Sequence, residues 1–258
     1  MNNEVIVSLD NPLVKEARSL NDKKFRKSLG KFLVDGEKLV NELVDRNEKI
    51  DKIFVENAKF DNFSYIFDKF HGKIVIVSKK VMESISQNNT PQGIVAEVFM
   101  PENLEFLPEK NKPFLVLDRI QDPGNIGTIL RTAVATGFST VALIDSADVY
   151  SPKVIRSSSG GIFGLKLFKV SEQEVIDFCK NSGVELLVAD MSGENIFDKK
   201  VTNKNFALVI GNEGQGVSNN FVVNGKTISL PMVSSMESLN AGVSASVLMY
   251  VLVGKDIK

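Results

Sequence analysis

The middle of the chain reads Asp122-Pro-Gly-Asn-Ile-Gly-Thr-Ile-Leu-Arg131-Thr-Ala133, shortly after the apolar run Phe114-Leu-Val-Leu117. The apolar run predicts a buried strand, and the Pro-Gly-Asn sequence predicts a loop that leads into a helix. Asp122 or Asn125 can cap the start of this helix, and Gly137 can end it. Because ligands of open α/β sheets bind at the carboxyl ends of the strands, this loop predicts a ligand-facing edge.

Two further loops of this kind follow in the second half of the chain. Gly211-Asn-Glu-Gly-Gln-Gly216 comes after the apolar run 206–210. Leu230-Pro-Met232, followed by Glu237-Ser-Leu-Asn-Ala241, comes after 227–229. Each loop places glycine, amide, hydroxyl or charged groups where a strand is predicted to end. Three such loops in order predict one composite site.

The bulk composition is that of a globular protein, with 43% apolar and 24% charged residues among 258. No apolar run is long enough to span a membrane, and the N-terminal residues lack the pattern of a signal peptide. The single cysteine, Cys179, excludes an internal disulfide and is typical of a reducing compartment. We therefore expect a cytoplasmic protein.

The segment 101–113 contains three prolines among charged residues and predicts a linker between two domains. Before it, helical spacing at 11–29 and 36–46 and short strands at 53–56, 73–77 and 93–99 predict a small α/β domain. After it, apolar strands alternate with helices, which predicts a mostly parallel sheet covered on both faces. The predicted strands are 114–118, 140–144, 185–189, 206–210 and 227–230, and the predicted helices are 126–136, 152–158, 171–182 and 238–253. We place the domains at residues 1–106 and 107–258.

The residue inventory excludes several kinds of catalytic site. The single histidine, His71, makes a Ser-His-Asp triad implausible, and one histidine with one cysteine cannot build a zinc site. No Walker A pattern occurs, and the glycines at 211, 214 and 216 have the wrong order for a dinucleotide fingerprint. The remaining chemistry depends on positioning and electrostatics, which suits group transfer from a cofactor that supplies its own leaving group.

A basic segment lies near the N-terminus, although the net charge of the chain is only −1. Seven basic residues lie between Lys15 and Lys31, against Glu16 and Asp22. This surplus can meet RNA phosphates, or it can be a solvated helix face, and the residues alone leave both interpretations open.

The three loops resemble the three motifs of the SpoU (TrmH) family of RNA ribose 2′-O-methyltransferases, in the SPOUT superfamily. The first motif is matched by Asn125, Gly127 and Arg131; the second by Gly211, Glu213, Gly214 and Gly216; the third by Pro231, Met232, Ser238, Leu239 and Asn240. The N-terminal half, with Asn11-Pro-Leu-Val-Lys15, Gly30–Glu37 and Thr90-Pro-Gln-Gly93, is similar to the substrate-binding domain of ribosomal-RNA members. The chain departs from the family at Val233-Ser-Ser-Met236 and Asn240-Ala-Gly-Val-Ser244, where small residues replace small residues.

The resemblance implies a C-terminal SPOUT domain with a trefoil knot, an N-terminal L30e-like α/β domain, a homodimer, and S-adenosylmethionine as cofactor. It implies no metal and no membrane partner. The implied cofactor-binding residues are Gly211, Gly216, Leu230, Met232 and Leu239. The implied catalytic residues are Arg131, Asn125, Glu213, Ser238 and Asn240.

Arginine is a poor general base, so we expect Arg131 to bind the target phosphate and to stabilise the developing 2′-oxyanion. Glu213 then orients Arg131 or takes the proton. We expect RNA contacts from Lys24, Arg26, Lys27, Lys31 and Arg156. The most favoured substrate is ribosomal RNA, for a housekeeping or a resistance methylation. The alternatives are a tRNA 2′-O-methyltransferase and a catalytically degenerate RNA-binding protein of the same fold.

Overall fold

The computed structural model describes residues 4–67, 69–102, 105–198, 205–233 and 238–254. The chain divides into two compact units, Met1–Glu102 with Tyr150–Ile155, and Asn103–Val149 with Arg156–Lys258. The sequence-based division at residues 1–106 and 107–258 stays a prediction. The compact units differ from it by grouping Tyr150–Ile155 with the first unit.

The N-terminal unit is a four-stranded sheet with helices packed against it. The strands are β1 (Lys31–Asp35), β2 (Ile50–Glu56), β3 (Ile74–Val77) and β4 (Ile94–Phe99), and the helices are α1 (Pro12–Ser19), α2 (Lys23–Leu29), α3 (Glu37–Asp45) and α4 (Lys79–Ile85). A 3₁₀ segment spans Asn57–Ile66. The strand order is β1-β4-β2-β3, with β4 antiparallel to both of its neighbours and β3 parallel to β2. Strand β1 and helix α4 were absent from the sequence-based assignment.

The helical spacing at 11–29 is realised as two helices, because a tertiary interaction breaks the segment after Ser19. The guanidinium of Arg26 donates to the carbonyl oxygens of Leu20 at 2.7 Å and Asn21 at 2.8 Å. Asp22 then caps α2, with its Oδ1 accepting from the backbone N–H of Lys24 at 2.7 Å. The Arg26 side chain is thus used to hold a turn and is only 4% exposed.

A buried charge cluster lies on the same sheet. The Lys31 ammonium donates to Glu16 at 2.6 Å, Asp51 at 2.7 Å and Glu97 at 3.2 Å. Glu97 is fully buried in β4, and burial raises the pKa of its carboxyl to about 7, with a hydrogen bond to Glu16 acting in the same direction. Lys31 therefore neutralises a set of acids that the interior would otherwise destabilise.

The C-terminal unit is a six-stranded parallel sheet. The strands are β5 (Phe114–Asp118), β6 (Thr140–Ile144), β7 (Lys166–Lys169), β8 (Glu185–Asn195), β9 (Phe206–Gly211) and β10 (Lys226–Ser229), in the order β10-β8-β9-β5-β6-β7. The helices are α5 (Pro123–Ala135), α7 (Glu172–Ser182), α8 (Asn219–Asn224) and α9 (Ala241–Val253), and α6 (Pro152–Ser157) is divided between the two units after Ile155. A 3₁₀ segment spans Gly161–Gly164. All five strand pairs are parallel, which confirms the predicted α/β class. Strand β7 and helix α8 were not anticipated.

Helix α5 packs closely against two neighbours of the same unit, and glycines permit the approach. A Cβ on Gly127 would lie 2.6 Å from the Ser157 Cβ, and one on Gly161 would lie 2.9 Å from the Arg131 Cα. On α9, a Cβ on Gly242 would lie 3.3 Å from the Thr128 Cβ. The small residues of α9 therefore serve intramolecular packing against α5.

Among the residues that the structure describes, no helix combines the length and the apolar character needed to cross a membrane.

Replacing Glu97 with glutamine should weaken the pH dependence of the free energy of unfolding. Because the folded-state pKa of about 7 lies above the unfolded value of about 4.3, the folded protein holds this proton where the unfolded chain has lost it. This stabilisation is complete below about pH 4 and is lost as the pH rises through about 7. In the wild type, the free energy of unfolding should fall as the pH rises from about 5 to about 8. In Glu97→Gln this fall should be smaller by about 1–3 kcal/mol, as measured by urea denaturation at each pH.

Glu83→Gln is the matched control, since Glu83 is on the exposed side of α4 with a side chain 53% exposed. An unchanged pH dependence in Glu97→Gln would contradict the prediction.

Candidate functional site

The carboxyl ends of β8, β9 and β10 enclose a cavity of about 250 Å³. Its volume is close to the lower end of the range of about 300–1,000 Å³ that is typical of small-molecule sites. All five residues predicted to bind the cofactor line it, together with two of the predicted catalytic residues: Gly211, Gly216, Leu230, Met232, Leu239, Glu213 and Ser238. The second and third motifs therefore meet at one ligand-sized cavity, as their positions after β9 and β10 predicted.

The loop after β9 folds back on itself and requires glycine at its start. A Cβ on Gly211 would lie 2.3 Å from the Val217 nitrogen and 2.4 Å from the Gly216 carbonyl carbon. The Asn212 Oδ1 accepts from the backbone N–H groups of Gly214 at 2.9 Å and Gln215 at 3.0 Å. Gly216 has a φ of +69°, a conformation that favours glycine. The loop thus presents its backbone to the cavity in a fixed conformation.

An ion pair between Arg119 and the buried Asp118 at the end of β5 supports this loop, and the sequence analysis missed it. Arg119 donates from Nε and Nη2 to the two carboxylate oxygens of Asp118, at 2.8 and 3.0 Å. Its Nη1 also donates to the Gln215 side chain at 3.1 Å, while Asp118 accepts from the Ser218 N–H at 2.7 Å. The hydrogen bond with Asp118 raises the pKa of the Arg119 guanidinium above its ordinary value. Asp118 is fully buried at the end of an apolar strand, and that position was the available signal.

The amide of Asn125 joins all three motifs. Its Nδ2 donates to the Glu213 Oε1 at 2.7 Å, and its Oδ1 accepts from the Asn240 Nδ2 at 2.9 Å. Asp122 caps α5 by accepting from the Asn125 backbone N–H at 2.8 Å, and Asn240 caps α9 by accepting from the Val243 N–H at 3.2 Å. The structure therefore brings three of the five predicted catalytic residues into direct contact.

Arg131 and Ser238 lie outside this hydrogen-bonded group. Arg131 is exposed on α5, three residues after the exposed Thr128, and its Nη1 lies 3.5 Å from the Ser159 Oγ. None of the hydrogen bonds described in residues 105–198, 205–233 and 238–254 joins Arg131 to Asn125 or Glu213. Ser238 is exposed at the wall of the cavity, and Glu237 lies outside the described residues. The guanidinium of Arg131 is thus presented to solvent, where a phosphate can reach it.

The residues predicted to bind RNA divide by burial. Lys24 and Lys27 are exposed on α2, and Arg156 is exposed in the last turn of α6. Arg26 is buried on α2, with its guanidinium bonded to the preceding turn, and the Lys31 side chain is 13% exposed among three carboxylates. Arg26 and Lys31 therefore have structural roles, and we withdraw them from the RNA-binding set.

Two side chains of the cavity wall were missed by the sequence analysis. Asp190 and Met191 extend β8 beyond the predicted end at residue 189 and line the cavity. The Asp190 Oδ1 accepts from the Ser192 N–H at 2.8 Å, which fixes the carboxylate. The available signal in the sequence was the position of Asp190, directly after the predicted strand 185–189. A strand of this sheet points to the edge where ligands bind.

Comparison with known proteins agrees with this geometry. The model of the SpoU rRNA Methylase family matches residues 112–250, and that of the MRM3-like substrate binding domain matches residues 11–96. The chain is similar to the 23S rRNA (guanosine(2553)-2′-O)-methyltransferase RlmP of Bacillus subtilis (strain 168), with 33% identity over 254 residues that cover 96% of this chain and 99% of the relative. It is also similar to the 23S rRNA (uridine(2479)-2′-O)-methyltransferase of Streptomyces viridochromogenes, with 36% identity over 196 residues that cover 72% of this chain and 68% of the relative.

A solved structure shares the fold over nearly the whole chain. It is that of the SpoU methyltransferase AviRb from Streptomyces viridochromogenes in complex with the cofactor AdoMet, with 28% identity and a TM-score of 0.84. The match covers 96% of this chain and 99% of that one.

Replacing Gly211 with alanine should deform the loop after β9, because the new Cβ would meet backbone atoms that cannot rotate away. We expect a loss of about 1–3 kcal/mol in the free energy of unfolding. We also expect the affinity for S-adenosylmethionine, measured by calorimetry, to fall by about tenfold or more.

Gly214→Ala is the matched control within the same loop, since its Cβ would meet only the Asn212 Oδ1, at an ordinary 3.7 Å. Equal effects of the two substitutions would show that the close approach at Gly211 is not what shapes the cavity.

Proposed function

Because this chain belongs to the SpoU rRNA methylase family, we propose that it transfers a methyl group from S-adenosylmethionine to a ribose 2′-hydroxyl of ribosomal RNA. The observation that carries this proposal is the Asn125 amide, which joins Glu213 and Asn240 beside a ligand-sized cavity. All three motifs of the family are therefore present and assembled.

The cavity fits S-adenosylmethionine in its chemistry. Leu230, Met232 and Leu239 offer an apolar wall, and Gly211 and Gly216 offer backbone groups that no Cβ shields. The Asp190 carboxylate, at the same wall, can accept hydrogen bonds from hydroxyl groups. When bound there, the cofactor supplies a methyl group on a positively charged sulfur, which is the reactive part of the chemistry.

Glu213 is the group best placed to accept a proton. Its Oε1 accepts from the Asn125 amide, which fixes the carboxylate at the wall of the cavity. In our proposal the carboxylate takes the proton that leaves the ribose 2′-hydroxyl. A carboxylate can do this at neutral pH, whereas a guanidinium cannot.

Arg131 has a different role in this proposal. Its exposed guanidinium binds the phosphate next to the target ribose and stabilises the negative charge that develops on the 2′-oxygen. Asn240 and Ser238, at the start of α9 and just before it, position the ribose by hydrogen bonds. Asn125 acts by orienting Glu213 and Asn240.

The N-terminal unit is proposed to bind the RNA. Its match to a substrate-binding domain favours ribosomal RNA over tRNA, and the exposed Lys24 and Lys27 supply positive charge for phosphates. Arg156 adds a further cation at the end of α6. A degenerate RNA-binding protein is disfavoured, because Arg131, Glu213 and Asn240 are all present.

We also propose a homodimer, the family's trefoil knot and a cytoplasmic location. Val243, Val247 and Tyr250 follow each other at helical spacing on α9 and are 48%, 37% and 50% exposed. An apolar stripe of this kind, beside the start of α9 that lines the cavity, suits contact with a second copy of the chain. The location follows from the proposed substrate and from the single cysteine.

Arg131→Ala should abolish ribose methylation and leave S-adenosylmethionine affinity unchanged, because Arg131 does not line the cavity. We would map ribose methylation in ribosomal RNA from cells that contain the wild type, the variant or no copy of the protein. Loss of the guanidinium, which orients the RNA and stabilises the developing charge, should lower the rate of methylation by about a hundredfold or more.

Arg46→Ala makes the same substitution on α3, in the N-terminal unit and outside the motifs, and serves as the control. Wild-type turnover in Arg131→Ala would refute the assigned role. Identical methylation maps with and without the protein would refute the proposed function.

Val247→Glu should dissociate the proposed dimer, because a charge would be buried at an apolar interface. Light scattering after size-exclusion chromatography should then give the mass of one chain. Val223→Glu is the control, since Val223 is 73% exposed on α8. A wild type that is monomeric at all concentrations would disprove the dimer.

A further inference from the structure

Helix α2 presents an unusual combination of exposed side chains. Phe25 and Leu29 are 43% and 39% exposed, and Lys23, Lys24 and Lys27 are exposed on the same short helix. We call this set the α2 surface. An exposed aromatic ring and an exposed aliphatic side chain beside three lysines offer both apolar contact and positive charge, so the α2 surface points to a ligand with both apolar faces and negative charge.

The α2 surface is held rigidly. Asp22 caps the start of the helix, and Gly30, with a φ of +63°, ends it. Arg26 points inward and fixes the preceding turn by donating to the carbonyl oxygens of Leu20 and Asn21. The orientation of Phe25 is therefore set before any ligand arrives, which lowers the entropy cost of binding.

Helical geometry separates the two kinds of side chain. Phe25 and Leu29 are four residues apart and share one side of α2, whereas Lys23 and Lys27 share the other side. Lys24 lies between the two sides, opposite the buried Arg26. Within the described part of the chain, no carboxylate forms an ion pair with Lys23, Lys24 or Lys27. Their positive charge is thus available to phosphates that run past an aromatic ring.

We propose that Phe25 stacks on an unpaired base of the RNA substrate, while Lys24 contacts the phosphate beside that base and Lys27 contacts the next phosphate along the strand. This inference rests on the proposed function, which supplies an RNA ligand, and it deepens it by specifying a single-stranded nucleotide. Bases within an A-form duplex are hidden from such a ring, whereas bases in loops and bulges stack on aromatic side chains. A purely apolar protein partner would not account for the lysines.

The absence of tryptophan from the sequence permits a direct test. Phe25→Trp places one indole at the stacking position, and Leu29→Trp places one a turn away on the same side as a matched control. The probe is a single-stranded oligoadenylate of about 15 nucleotides, compared with an RNA duplex of the same length. We expect the oligoadenylate to quench the fluorescence of Phe25→Trp much more than that of Leu29→Trp, and the duplex to quench neither strongly.

Affinity measurements separate stacking from charge. Phe25→Leu keeps apolar bulk and should weaken oligoadenylate binding by about tenfold, while Phe25→Trp retains it. Lys27→Gln should make the slope of log K against log salt concentration shallower by about one unit, because one phosphate contact is lost. Calorimetry with S-adenosylmethionine in the same variants should give wild-type affinity, which shows that the C-terminal unit is intact.

Three results would overturn the inference. They are equal quenching at the two positions, unchanged oligoadenylate affinity in Phe25→Leu, and tighter binding of the duplex than of the single strand. If these occur while the wild type methylates ribosomal RNA, the stacking role fails and the proposed function stands. If the wild type neither binds RNA nor methylates it, both fail.

Discussion

The site of the C-terminal unit depends on a single amide. Asn125 is 8% exposed, and its amide is oriented by two different partners, a carboxylate that must accept and a second amide that donates. Each partner belongs to a loop or helix that follows a different strand of the sheet. Without this amide, the hydrogen bonds from α5 to Glu213 and to the Asn240 side chain would be lost. An isosteric aspartate could not replace it, since its carboxylate would face that of Glu213.

Backbone packing provides the second constraint, because the same unit places several chain segments in closer contact than side chains allow. Gly127 and Gly161 let the segment 157–161 approach α5, and Gly211 lets the loop after β9 fold onto its own strand. The buried Asp118 and the partly exposed Arg119 then hold that loop through hydrogen bonds to Ser218 and Gln215. The exposed side chains of Arg131 and Glu213 therefore project from a frame with little freedom to relax, which suits the positioning roles that we propose for them.

The parts of this structure that the sequence predicted are those with strong local signals. Continuous apolar runs predicted β5, β6 and β9, and Asp122 marked the start of α5. The short strands β1 and β7 were missed because two or three apolar residues between charged ones do not separate a strand from a loop. The break between α1 and α2 could not be foreseen, since it depends on hydrogen bonds from Arg26 to a turn. For the same reason composition suggested surface roles for Arg26 and Lys31, whereas tertiary contacts give them interior ones.

The Lys31 cluster has a consequence for how the N-terminal unit meets its environment. Glu16, Asp51 and Glu97 place their oxygens within 4.8 Å of one another, a spacing that could hold a metal ion. The Lys31 ammonium instead donates to all three of these carboxylates, so the counter-ion is covalently part of the chain. Domains that are held together by a metal gain a stability that rises with the logarithm of the free concentration of that metal. A tethered ammonium removes that dependence, so this sheet can assemble with the same counter-ion whatever the divalent-cation supply of its surroundings.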